Sequence, residues 1–128
     1  MGTSFVEYKG LGFWSRDNFL EAWLNTLLDE MQKLPATERW QESLMEHWRS
    51  QRSIDGGCMS IGLDEFLTDT SKRDFVLSVS GKALEHSNSL GRRTGELFIL
   101  LLEGRLTTTA SSPIDYLNDP GVANGKIR

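Results

Sequence analysis

One cysteine and two histidines supply this chain's only thiol and its only imidazoles, the groups best suited at neutral pH to act as nucleophile, metal ligand or base. Cys58 follows Gly56-Gly57, and a thiolate there would need His47 or His86 beside it to act on a substrate. No local signature around Cys58 supports that pairing, so a small, semi-buried thiol is the expected state. A single cysteine also excludes an internal disulfide and any Cys-x-x-Cys metal or redox motif. Glu46-His47 lacks the second histidine one turn further on that a helical zinc motif needs. Two carboxylates can serve as acid and base, but Asp29-Glu30 and Asp64-Glu65 are chain neighbours that diverge on a helix. Gly57 and Gly62 have the spacing of a phosphate-binding loop, yet Leu63-Asp64 stands where Lys-Ser/Thr is required. Gly10-Leu11-Gly12 lacks the third glycine and the preceding strand of a dinucleotide fingerprint, and no Gly-x-Ser-x-Gly elbow is present. These residues predict no catalytic centre, no cofactor and no metal.

Charge is the stronger signal. Glu38, Glu42 and Glu46 recur at four-residue intervals, one helical turn apart, a spacing that costs a few tenths of a kcal/mol per like-charged pair. Arg39 and Arg49 offset part of that cost. With Asp29 and Glu30 near the preceding helix junction, the three glutamates predict an acidic ridge that steers and selects a basic partner. The net charge is −4. Residues 1–64 hold six Lys and Arg against ten Asp and Glu, while residues 65–128 hold eight of each, so the acidic excess lies in the first half. That balance opposes a general nucleic-acid binder, although Lys72-Arg73 and Arg92-Arg93 are basic pairs that could touch phosphate. Lys72-Arg73 stands at a helix start, where positive charge is poorly placed against the dipole.

These side chains need a scaffold, and the composition predicts one folded unit. A chain of 128 residues, 38% hydrophobic and 25% charged, has the size and balance of an ordinary globular domain. The longest apolar run, Leu97–Leu102, is far below the roughly 20 residues a membrane-spanning helix needs. The amino terminus shows no basic segment followed by a long apolar run, so no secretory signal is read and the cytoplasm is the expected compartment.

The scaffold is organised around residues 15–34. Phe19, Leu20, Trp23, Leu24, Leu27, Leu28, Met31 and Leu34 form one helical stripe, with Glu21, Asn25, Asp29 and Gln32 opposite. Ser15 or Asp17 is the expected N-cap, and Pro35 closes the far end. A second helix is expected at 37–52, capped by Thr37, burying Trp40, Leu44, Met45 and Trp48 and running antiparallel to the first. Trp23, Trp40 and Trp48 all fall in helical patterns, which favours a tryptophan-rich core over a stacking surface for a base or sugar. Leu63–Leu67 predicts a helical turn. A third helix at 71–87, started by Ser71 and Asp74, buries Phe75, Val76, Val79, Ala83 and Leu84 despite Gly81. A fourth at 90–103 ends at Gly104. A hairpin turning at Glu103-Gly104 and returning through Thr107–Thr109 is the rival for that last segment. Residues 1–14 are read as an irregular strap whose glycines turn Phe13 and Trp14 over the first helix. Thr107–Ser112 reads as loop, Pro113–Leu117 as a final helical turn, and residues 118–128 as a loose tail.

Tyr8-Lys9-Gly10-x-Gly12-Phe13-Trp14-x-x-Asp17, Trp40, Trp48, Leu63-Asp64-Glu65-Phe66 and Ser112-Pro113-Ile114-Asp115-Tyr116 together resemble small bacterial proteins of the toxin-immunity type. That resemblance implies neutralisation of a toxin and transfers no functional residue. The expectation is therefore an all-α, single-domain bundle of about four main helices over residues 1–128. Its expected function is non-enzymatic: a cytoplasmic, immunity-type inhibitor that meets a basic protein partner through Asp29, Glu30, Glu38, Glu42 and Glu46, without nucleic acid, membrane or cofactor. The alternatives are a ligand-binding protein or enzyme with a pocket between the Gly56-Gly57-Cys58 loop and Arg92-Arg93, or a regulatory homodimer joined through leftover apolar surface.

Overall fold

The structure, a computed structural model, describes residues 3–35, 38–52, 59–87, 89–106 and 122–123. Its first element corrects the expectation of an irregular strap. Strands β1 (Thr3–Tyr8) and β2 (Leu11–Arg16) form an antiparallel hairpin in which Val6 faces Phe13 and Tyr8 faces Leu11. The two-residue connection, Lys9-Gly10, has positive φ at both positions (51° and 82°), the geometry whose twist matches that of the flanking strands. Lys9 bears the strain of a left-handed backbone as a non-glycine residue, and its N–H is held by Asp64 Oδ1 at 3.1 Å. Ser4, Val6 and Tyr8 alternate inward against Phe13 and Ser15. Gly12 is needed for close approach: a Cβ there would lie 2.5 Å from the Phe5 ring, which covers it and packs on Trp14 with ring centroids 5.1 Å apart.

The tail also departs from expectation at two residues. Val122–Ala123 is a short strand, β3, pairing antiparallel with β2 opposite Ser15 and Trp14, so the strand order is β1-β2-β3. The expected loop at Thr107–Ser112 and the turn at Pro113–Leu117 lie outside the described residues.

Five α-helices are found among the described residues: α1 (Asp17–Gln32), α2 (Arg39–Gln51), α3 (Leu63–Phe66), α4 (Thr70–His86) and α5 (Ser89–Leu102). The expected helical bundle is present. Helix α1 starts at Asp17 because Ser15 and Arg16 are still paired with β1, leaving Arg16 at the cap position without a side-chain cap bond. It ends at Gln32, where the N–H groups of Lys33 and Leu34 fold back onto Glu30 O and Met31 O ahead of Pro35. Of the eight stripe residues, Leu20, Trp23, Leu24, Leu27, Leu28 and Met31 are buried, while Phe19 and Leu34 at the two ends are half-buried.

Burial of that stripe comes mainly from α4 and α5 and less from α2. Helix α5 approaches α1 through Gly91 and Gly95. A Cβ at Gly91 would lie 2.9 Å from the Trp23 backbone nitrogen, and one at Gly95 2.5 Å from the Trp23 ring. Trp23 then meets Phe98 edge-on at 5.8 Å, and Phe98 meets Trp48 at 6.5 Å, so α1, α2 and α5 share one aromatic centre. Residues 97–102 are helical, not one arm of a hairpin. Gly104 closes α5 with φ 73°, and the Arg105 N–H bonds Leu100 O at 2.9 Å. Helix α4 is capped by Asp69, not Ser71: its carboxylate accepts the Lys72 N–H at 2.9 Å and the Ser71 hydroxyl at 2.7 Å. No helix among the described residues is long and apolar enough to cross a membrane.

Candidate functional site

The acidic residues singled out from sequence differ in what they touch. They divide between a cap, an ion pair and two grooves. Glu38 is the cap of α2, the role assigned above to Thr37, which lies outside the described residues. The Glu38 side chain accepts an N–H of the first turn, and Gln41 Oε1 returns the bond to the Glu38 N–H at 3.1 Å. Glu38 Oε2 also accepts the Trp40 indole N–H at 3.0 Å. Glu30 is held by Lys33 Nζ at 2.6 Å, and its side chain keeps only 9% exposure. The Lys33 ammonium, by this hydrogen bond, holds the Glu30 carboxyl below its ordinary value; desolvation opposes that shift and is outweighed.

Glu42, Glu46 and Asp29 stand at the surface. Glu42 and Glu46 line a groove of about 320 Å³ between the end of α1 and α2, together with Met31, Leu34, Met45 and Arg49. The antiparallel run of the two helices makes this groove, and Arg52, just beyond α2, anchors it by donating to Asn25 Oδ1 at 2.6 Å. Asp29 lines a second groove of about 560 Å³, with Glu21, Asn25 and Thr26 on one wall and His86 and Leu90 on the other. Gln32 borders the first groove and Asp29 the second. These residues are one turn apart on α1, so both grooves flank the same solvent-facing stripe. The structure thus adds Glu21 to the acidic set. Its place opposite the apolar stripe was visible in the sequence, but its groove is made by the α4–α5 junction, which sequence spacing could not locate.

The remaining candidates are committed locally or lie elsewhere. His47 Nε2 is 2.7 Å from Ser60 O and its ring packs on Phe66, while Gly56, Gly57 and Cys58 lie outside the described residues. Arg92 donates to Leu84 O at 3.1 Å, satisfying a carbonyl at the end of α4. Lys72 lies over the Trp40 ring, 5.6 Å from its centroid, and Arg73 pairs with Asp74 at 3.0 Å. Trp23 and Trp48 are fully buried and Trp40 packs edge-on against Phe75 at 5.5 Å, so the tryptophans serve the core as expected. Among the described residues no group of three or more His, Cys, Asp or Glu is arranged to hold a metal.

What the geometry presents is therefore a small helical protein with a flanking hairpin and a paired set of acidic grooves. Comparison of the chain with protein-family models, with curated proteins and with solved structures yields no match.

Proposed function

We propose that this chain is a non-enzymatic binding protein of the immunity type, which neutralises a basic protein partner in the cytoplasm. The observation that carries this reading is the placement of Glu42 and Glu46 along one groove and Glu21 and Asp29 along the adjoining one, on either side of the exposed stripe of α1. Among the described residues, Arg49 is the only lysine or arginine lining either groove. Four carboxylates around two concavities produce a local negative potential that a basic surface meets from a distance. Exposed pairs formed there contribute about 0.2–1 kcal/mol each, so charge sets partner choice and association rate. Affinity would come from covering the apolar groove residues Leu34 and Leu90.

The test is reversal of Glu42 and Glu46 to lysine, leaving Glu38 in place because it caps α2. Wild-type and E42K/E46K proteins are immobilised and exposed to lysate from the source cells, and the retained basic proteins are purified. The expected partner binds wild-type with an association rate that falls steeply as salt rises. It binds the reversed variant at least about tenfold more slowly, and co-expression with wild-type alone relieves its toxicity. Retention of a basic partner with equal rates on both proteins, or absence of any basic partner, would refute the reading.

A further inference from the structure

The hairpin leaves one edge of its sheet open. In a two-residue hairpin the pair beside the turn exchanges both main-chain bonds, and bonded pairs then alternate along the strands. Tyr8, Val6 and Ser4 therefore spend their N–H and C=O groups on β2, while those of Phe5 and Glu7 turn away from it. Strand β1 ends the strand order, and among the described residues no backbone group pairs with its outer edge. The segment across from that edge does not supply the missing partners, because its main chain is committed elsewhere. The Met59 N–H goes to Ser4 Oγ, the Ser60 N–H to Gln51 Oε1 and the Trp48 indole N–H to Ile61 O, each at 2.9 Å. Between edge and segment lies a slot of about 190 Å³. The slot also has a sign: Glu7, Asp64 and Glu65 line it, all exposed, and no lysine or arginine does among the described residues.

We propose that the outer edge of β1 takes up an extended, basic segment of a partner protein as an added antiparallel strand. An unpaired edge is a template for such addition, with main-chain bonds giving affinity and alternate side chains giving specificity. Here the N–H and C=O groups of Phe5 and Glu7 supply the main-chain bonds. Directly opposed residues of two strands share a face, so the segment sets lysine or arginine against Glu7 and Phe5, near Asp64 and Glu65. The residues between them point the other way, towards Met59 and Ile61, and are apolar. Residues 59–65 stand across the slot, which leaves room for a lone strand and none for the second strand that another copy's hairpin would bring. The slot shares no lining residue with the acidic grooves beside α1, so this docking edge is independent of them.

The test uses a short peptide of alternating lysine and valine, titrated into the isotope-labelled full chain and followed by NMR. The amide protons of Phe5 and Glu7 are expected to gain at least about tenfold protection from solvent exchange, while those of Val6 and Tyr8, already bonded to β2, change little. Glu7→Lys leaves every bond to β2 in place and is expected to weaken binding about fivefold, the scale of an exposed pair lost and a repulsion gained. Methylating the backbone nitrogens of the peptide's lysines keeps every charge but removes the donors that face the edge, so that peptide should not bind. Methylating the valine nitrogens, which face away, should leave binding intact, and E42K/E46K should bind as wild-type does. A peptide that does not bind would overturn the proposal, as would binding without new protection at Phe5 and Glu7. Equal binding of the lysine-methylated peptide would overturn it too, because charge alone would then account for the contact.

Discussion

The contact between α1 and α5 makes one small substitution act in opposite directions at two helical glycines. Gly81 and Gly95 both sit inside helices, and replacing glycine by alanine in a helix interior stabilises it by about 1 kcal/mol from propensity alone. At Gly81 an added Cβ meets nothing within 4 Å, so Gly81→Ala should stabilise the protein by about 0.5–1 kcal/mol. At Gly95 the same Cβ falls 2.5, 2.6 and 2.9 Å from three atoms of the Trp23 ring. Carbon atoms in good contact stand roughly 3.5–4.0 Å apart, so the ring or the helix must shift by about 1 Å. Trp23 cannot move outward, because it is fully buried and edge-on to Phe98. Overpacking of this kind costs typically 1–3 kcal/mol. With the propensity gain subtracted, Gly95→Ala should lose up to about 2 kcal/mol, a drop in Tm of up to about 8 °C. Urea unfolding followed by tryptophan fluorescence measures both variants, with unchanged slope as the check that both unfold alike. Combining Gly95→Ala with Trp23→Leu removes the ring atoms that clash, so the double variant should recover about 1 kcal/mol relative to additivity. If Gly95→Ala stabilised as much as Gly81→Ala, or if the double variant were additive, the close approach of α5 to Trp23 would be wrong.

Two further outcomes follow from single hydrogen bonds. Trp48 donates its indole N–H to Ile61 O at 2.9 Å in the interior, so Trp48→Phe should cost about 1–3 kcal/mol by stranding that carbonyl, read as a lower urea midpoint at unchanged slope. Asp69 is held below its ordinary carboxylate value, first by the Lys72 backbone N–H and next by the Ser71 hydroxyl. A group whose folded value is depressed contributes stability that is present above its unfolded value and lost as pH falls through the folded one. Acid titration of stability should therefore show a smaller loss below the usual carboxylate range in Asp69→Asn than in wild-type; identical acid limbs would remove Asp69 as the cap of α4.

The order and bounds of the helices were legible in the sequence to within two residues, because a local period decides them. Leu20 to Met31 recur on one side of a helix and are buried for that reason, and Leu97–Leu102 is helical despite being apolar all round. The hairpin was not legible. Its inward positions are Ser4, Val6 and Tyr8, and its outward ones include Phe5 and Trp14, so hydrophobic alternation is blurred at both faces. Lys9-Gly10 was the available signal, a two-residue turn that forces positive φ.

Sequence alone determined that Trp23, Leu27 and their neighbours would be buried and that the acidic charge would collect in the first half of the chain. Only the tertiary structure decided what they are buried against and where that charge acts. Gly91 and Gly95 admit α5 against α1, and that approach, closed over by the end of α4, sets Asp29 and Glu21 in one groove while Glu42 and Glu46 line another. The physical reason is range. Helical period is a property of residues a turn apart and net charge of composition, whereas a groove exists only once two helices have packed together.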